Sequence, residues 1–315
     1  MTSVKSIVAA KLFKVVEEPR SCLIAVELFA LSNLAFLALD VYIAHSTNSF
    51  ALSAEWIPVL FSLVSPLVLI FAMWQQKSIA PSLAASPSTP LAAMGRWFGL
   101  LIGGVAIVVG IAGLLWHLNS QFFVNATLES LVYTAPFMAP LAYTGVGLLI
   151  VLNRMIPSDS KDWGTWVLLL ALGGFIGNFV LSVADHAQNG FFEWREWIPV
   201  AASAVAVGSL CSIIFVDRSV PALKAGALVM LGQIIVGLLG WYYHFCGIRN
   251  SNMDSVWDKI VYGAPVFAPL LFANLALLAL IGLWSLVITG ASLETTHPEI
   301  PASRRLSVPD PDGLP

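Results

Sequence analysis

The chain says the same thing twice, and this constrains its fold more than any other feature. Residues 45–59 read HSTNSFALSAEWIPV and residues 186–200 read HAQNGFFEWREWIPV. Both fit His-x2-Asn-x-Phe-x4-Glu-Trp-Ile-Pro-Val without a gap. Residues 129–141 read ESLVYTAPFMAPL and residues 258–270 read DKIVYGAPVFAPL, both fitting acid-x2-Val-Tyr-x-Ala-Pro-x2-Ala-Pro-Leu. The two motifs keep their order, so the chain reads as a tandem duplication over roughly 22–153 and 163–289. A duplicated unit builds a pseudo-symmetric object, with a site on the axis or one in each half.

Composition decides the solvent. The 315 residues are 58% hydrophobic and only 10% charged, with a mean hydropathy of +0.85. A soluble domain carries about 25% charge, so this chain belongs in a bilayer. Outer-membrane strands alternate polar and apolar residues, and no such alternation is present. The expected class is all-α: a polytopic integral membrane protein. Its apolar runs place eight transmembrane helices at about 22–45, 56–75, 97–118, 131–152, 163–186, 197–216, 222–245 and 260–288. Four spans in each half return the chain to its starting side. The two four-helix repeats are therefore parallel, sharing one orientation about an axis along the membrane normal.

Lys and Arg set the sidedness. Lys5, Lys11, Lys14, Arg20, Lys77, Arg96, Arg154, Lys161, Arg218, Lys224, Arg304 and Arg305 fall on one side, and only Arg195, Arg249 and Lys259 on the other. Twelve against three predicts both termini cytoplasmic in an inner or plasma membrane, with residues 46–55, 119–130, 187–196 and 246–258 outside. Residues 1–21 carry apolar residues at helical spacing with lysines between, an amphipathic cytoplasmic segment on the inner surface. They show no small-residue cleavage site, so no signal peptide is read. Residues 78–95 are a Ser/Pro/Ala-rich loop, 154–162 a cytoplasmic linker, and 290–315 a proline-rich, disordered cytoplasmic tail.

Four of the five histidines fall in one layer. Counted at about 1.5 Å per residue, His45, His117, His186 and His244 end the odd-numbered helices on the outer side. Glu55 and Glu196 open the second and sixth helices there, and Glu129 and Asp258 open the fourth and eighth. Asp40 and Asp185 face outward too, without acidic counterparts. The candidate metal ligands are therefore His45, Glu55, His117 and Glu129 in one half, and His186, Glu196, His244 and Asp258 in the other. His with carboxylate is the ligand set of Zn, Mn and non-haem Fe, and helical bundles build di-metal sites from it. The Glu-x-x-His pair usual in such bundles is absent. His45 with His117, and His186 with His244, also suit axial ligation of haem. A purely architectural account is available as well. Helix dipoles favour carboxylates at N-termini and histidines at C-termini, and Trp56 and Trp197 suit the interfacial aromatic belt.

Pro136, Pro140, Pro265 and Pro269 cannot donate to the carbonyls four residues back. They predict kinked helices with freed carbonyls at Val132, Pro136, Val261 and Pro265, a device found at transporter sites. Cys22, Cys211 and Cys246 form no CxxC or metal spacing and read as fillers. No nucleotide, protease or hydrolase motif is present, and no basic surface points to nucleic acid. Asn125-Ala126-Thr127 fits a glycosylation sequon.

The leading expectation is a pseudo-symmetric His/carboxylate site at the outer face, binding a transition metal or haem for redox or metal handling. A solute or ion transporter, with the same layer as outer gate or proton relay and the proline-bearing helices as moving parts, is the alternative. A structural subunit of a membrane complex, or a homo-oligomer, is the third reading. Whether the chain is an enzyme is left open by its residues.

Overall fold

A computed structural model describes residues 18–76 and 90–290. The amphipathic segment before residue 18, the loop core over 77–89 and the tail from 291, with its His297, lie outside the described residues.

Among the described residues the protein is all-helical, without strands. The helices are α1 Pro19–Ser46, α2 Trp56–Gln76, α3 Pro90–Asn119, α4 Phe122–Asn125, α5 Leu128–Val132, α6 Leu141–Met155, α7 Lys161–Gln188, α8 Trp197–Phe215, α9 Val220–Asn250, α10 Val256–Val261 and α11 Leu270–Ile288. One-turn 3-10 helices, Ser53–Glu55 and Trp194–Glu196, lead into α2 and α8. Local chemistry sets several starts. Ser160 Oγ accepts from Trp163 N–H, and Ser219 Oγ from Ala222 N–H, satisfying donors that a helix start leaves free. Thr127 and Ser130 cap α5 reciprocally. Helix α3 begins at Pro90, inside the stretch expected to be loop, because a proline is tolerated in a first turn.

Among the described residues, seven helices are long and apolar enough to cross a membrane. They expose large apolar side chains around the outside, such as Leu67 at 68% and Leu228 at 70%. So much exposed apolar surface suits lipid and not water.

The fourth and eighth expected spans differ from their prediction. The segments Tyr133–Pro140 and Tyr262–Pro269 are not bent helix; they break it into a short piece before the prolines and a longer one after them. Each proline removes an N–H and crowds the carbonyl four residues back. Two of them one turn apart leave no turn intact. The chain instead makes tight three-residue closures, Ala139 N to Pro136 O at 3.2 Å and Tyr143 N to Pro140 O at 3.1 Å. What remains, α6, has 15 residues, about 22 Å of rise. It falls short of a 30 Å core and is not among the seven.

In each half the helices pack around the proline-bearing element: α3 lies along α6, and α9 along α11. Glycines allow the close approach. A Cβ on Gly110 would stand 2.6 Å from Thr144 N and 2.8 Å from Pro140 O, and one on Gly240 2.7 Å from Pro269 Cβ. Gly110→Val is therefore expected to destabilise the protein by about 1–3 kcal/mol, an overpacking cost. Gly104→Val, at a position open to 4 Å, should stay within about 0.5 kcal/mol of wild type. Thermal unfolding in detergent compares the two, and equal effects would refute the close-approach account.

The core has two parts. Ala30, Leu34, Leu69, Ile102, Val146 and Ile150 form the smaller cluster, in the first half. The larger runs through the second half and takes in Cys22, Val26, Leu149 and Leu152. Between the first turns of α1 and the end of α6 sits a polar knot. Glu27 is 2% exposed and Arg154 fully buried, joined at 2.8 and 3.1 Å through the two terminal guanidinium nitrogens. Asn153 Nδ2 donates to Glu27 at 3.0 Å, and Trp163 Nε1 donates to Asn153 at 3.1 Å. In the repeat register these positions are Leu168, Gly282 and Leu283 in the second half, where Leu168 packs directly on Gly282.

Candidate functional site: histidines at the helix ends

In the repeated motif the shared His, Phe and Trp make the same contacts in both copies. After His45 the chain turns back through Ser49 and Phe50, at φ 58° and 53°; after His186 it does so through Gly190 and Phe191, at 72° and 50°. Left-handed backbone disfavours side chains, so each turn needs outside support. Phe50 N donates to His45 O at 3.1 Å, and Phe191 N to His186 O at 3.2 Å. The Phe50 ring stacks on Trp56 at 4.1 Å and 18°, and Phe191 on Trp197 at 4.1 Å and 20°. The same phenylalanines sit 5.9 Å from the His45 ring and 6.1 Å from the His186 ring. The turn and its stack bring Glu55 and Glu196, each one residue before its tryptophan, back towards the histidine layer.

The proline break positions the second histidine of each half. Pro140 has no N–H to offer, so the Pro136 carbonyl has no partner four residues on. His117 Nδ1 bonds to it at 2.9 Å. In the other half His244 Nδ1 bonds to Pro265 O at 2.8 Å. A carbonyl only accepts, so each Nδ1 is a protonated nitrogen, and in the neutral ring Nε2 carries the lone pair. His45 is fixed in the same sense, Nδ1 to Val41 O at 3.0 Å. The ring centroids of His45 and His117 are 6.3 Å apart, their planes at 70°.

The carboxylates divide. Glu55 Oε1 accepts from Asn48 Nδ2 at 2.8 Å, while its Oε2 is buried without a hydrogen-bond partner. Glu55 lies close enough for its charge to act on His117. Glu196 Oε2, also without a hydrogen bond, stands 3.9 Å from His186 Nδ1, with the two side chains 12% and 22% exposed. Glu129 and Asp258 are placed differently from the expectation. Glu129 is exposed on α5, and α5 packs on α7 of the other half; α10, which carries Asp258, packs on α1. Gln188 at the end of α7 donates to Val132 O at 2.8 Å, taking up a carbonyl freed by Pro136. Trp257 of α10 lies 6.2 Å from Tyr42 of α1. Each acidic segment thus reaches across to the opposite half. Among the described residues no three His, Cys, Asp or Glu side chains form a group that could hold a metal ion.

Residues outside the predicted set complete the first half's site. Ser120 Oγ donates to His117 O at 2.6 Å and pairs with Thr134 Oγ1 at 2.8 Å. Thr134 Oγ1 also lies 2.7 Å from His117 O, so the two hydroxyl protons serve two of these three contacts at a time, and Ala135 N donates to Ser120 Oγ at 3.1 Å. Nothing in the local sequence marks these hydroxyls, because their partners are 14 and 17 residues away. Asn48 was visible as a repeated letter, and its role as holder of Glu55 emerges only from the turn. No protein family, curated protein or solved structure matches the chain.

Proposed function

We propose that the protein is a two-repeat, eight-span membrane protein with both termini in the cytoplasm, holding a transition-metal centre between paired histidines at its outer face. In this reading α5, the proline break and α6 together make the fourth crossing, and α10, the break and α11 the eighth. The centre serves metal handling or redox chemistry outside the cell.

The observation that carries the reading is the His45–His117 pair. With metal–nitrogen bonds of about 2.0–2.1 Å and the rings' own half-width, two imidazoles on one metal place their centroids at most roughly 6.4 Å apart. The separation here is 6.3 Å, and both Nδ1 atoms are tied to carbonyls. A histidine ligand is oriented in this way, by a hydrogen bond from its other nitrogen. Two protein ligands suit a haem iron, whose remaining positions the macrocycle fills, or an ion completed by water.

The absorption spectrum and metal content of the purified protein test the proposal. A Soret band that His45→Ala removes assigns haem. Stoichiometric metal without a Soret band, lost in the same variant, assigns an ion. Absence of both signals refutes the metal reading. A second reading, transport, draws on the two broken helices, since non-helical backbone at membrane depth lines cavities in transporters.

A further inference from the structure

We propose that the seam between α1 and α11 is a lipid-binding site, which takes one acyl chain of an anionic phospholipid whose headgroup meets Arg20. The site lies apart from the histidines and does not depend on the metal-centre reading.

Helices α1 and α11 meet without filling the space between them. A groove of about 660 Å³ runs along the seam, lined by Ala25, Ser32 and Ala35 on one side and by Leu277, Ile281 and Trp284 on the other. Ser32 carries the one hydroxyl in this lining and donates it to Phe29 O of its own helix at 3.0 Å, so the walls stay apolar. Beside the groove, Asn33 and Asn274 exchange side-chain amide hydrogen bonds and tie the two helices together at one depth.

Length, charge and the repeat together choose the occupant. From Ala25 to Ala35 α1 rises about 15 Å, half of a hydrocarbon core of about 30 Å. The groove therefore runs the depth of one leaflet, on the side where α1 begins and α11 ends. Arg20 is exposed at the start of α1, roughly 7 Å of helix rise before Ala25. A cation at headgroup level attracts anionic lipid. The matched seam, α6 with α7, is shaped differently. In the repeat register Ala25 and Ala35 become Trp166 and Ile176, Trp284 becomes Met155, and the amide pair becomes Gly174 and Gly145. The chain's own ends are poor occupants. Residues 1–17 carry Lys5, Lys11 and Lys14, and residues 291–315 carry Glu294, Arg304 and Arg305; burying such charges in an apolar groove is costly.

The test places the full-length protein in phosphatidylcholine vesicles containing a trace of phosphatidylglycerol with a photoactivatable diazirine at mid-chain. A parallel series carries the same diazirine on phosphatidylcholine. Mass spectrometry of peptides then locates the adducts. The phosphatidylglycerol probe is expected to concentrate on residues 25–35 and 277–284, above the level at the matched seam. Ala25→Trp with Ala35→Ile copies the second half and should bring groove labelling down to that level. Unchanged labelling of the remaining lipid-facing surface reports that the variant is folded and inserted. Arg20→Gln, which leaves the groove walls alone, should lower labelling by the phosphatidylglycerol probe about fivefold relative to the phosphatidylcholine probe, the worth of one cation near a headgroup. Equal labelling of the two seams, groove labelling that survives the filled groove, or equal labelling by both probes in wild type overturns the site. So does a groove without label, since a second copy or the chain's own ends would then cover it.

Discussion

Replacing Glu27 with alanine is expected to cost about 3–5 kcal/mol, because it strands a guanidinium in the protein interior. Arg154 is fully buried and meets Glu27 through two nitrogens. Its other hydrogen bond goes to Ile150 O, and its Nε has none. Removing the carboxylate leaves the charge with one carbonyl. Replacing both residues together should be far milder. Glu27→Leu with Arg154→Leu copies Leu168 and Leu283 of the second half, and buried ion pairs exchanged for packed apolar residues are often neutral. Asn153 keeps its bond from Trp163. Unfolding of the single and double variants in detergent measures the coupling. A double variant as unstable as the sum of the single ones would show that the pair does not act as a unit.

An all-or-none result is expected for sidedness. Ala51→Cys and Glu193→Cys, both exposed in the turns that follow His45 and His186, should react with an impermeant maleimide in right-side-out vesicles. Asp159→Cys, exposed in the linker between the halves, should react only after permeabilisation. The background carries Cys246→Ser, since Cys246 is only partly covered near the same outer ends. The reverse pattern would place the histidine layer in the cytoplasm and remove the outward reading of the site.

The apolar spans were legible because lipid imposes a length and a composition that any window can detect. The limits of α1, α2, α7 and α8 fall within three residues of the expected spans. Prolines were recognised as disruptive, but spacing alone did not show that two, one turn apart, stop a helix outright. Glu27 was hidden for a different reason. A single carboxylate in an apolar run says nothing about its partner, and Arg154 lies 127 residues away. The histidine layer followed from counting rise along each helix, which fixes depth. Rise does not fix lateral position. The sequence therefore assigned Glu129 to its own half, whereas α5 packs on α7. The fifteen-residue motif was conspicuous, while the reason for its length, a turn closed by one backbone bond and one ring stack, needed coordinates.

The crossing of α5 onto α7 and of α10 onto α1 bears on how such a chain could arise. On the two-repeat reading, each half closes the other's outer rim. A single four-helix unit would leave its rim segment without a surface to rest on. Two identical units could satisfy each other only by exchanging those segments, in the manner of a swapped dimer. Fusing them into one chain keeps the exchange but no longer obliges the two copies to be alike. An ion pair in one half against leucines in the other, and an amide pair at one seam against glycines at the other, are differences that only a fused pair is free to accumulate. A homodimer would have to carry every such change twice.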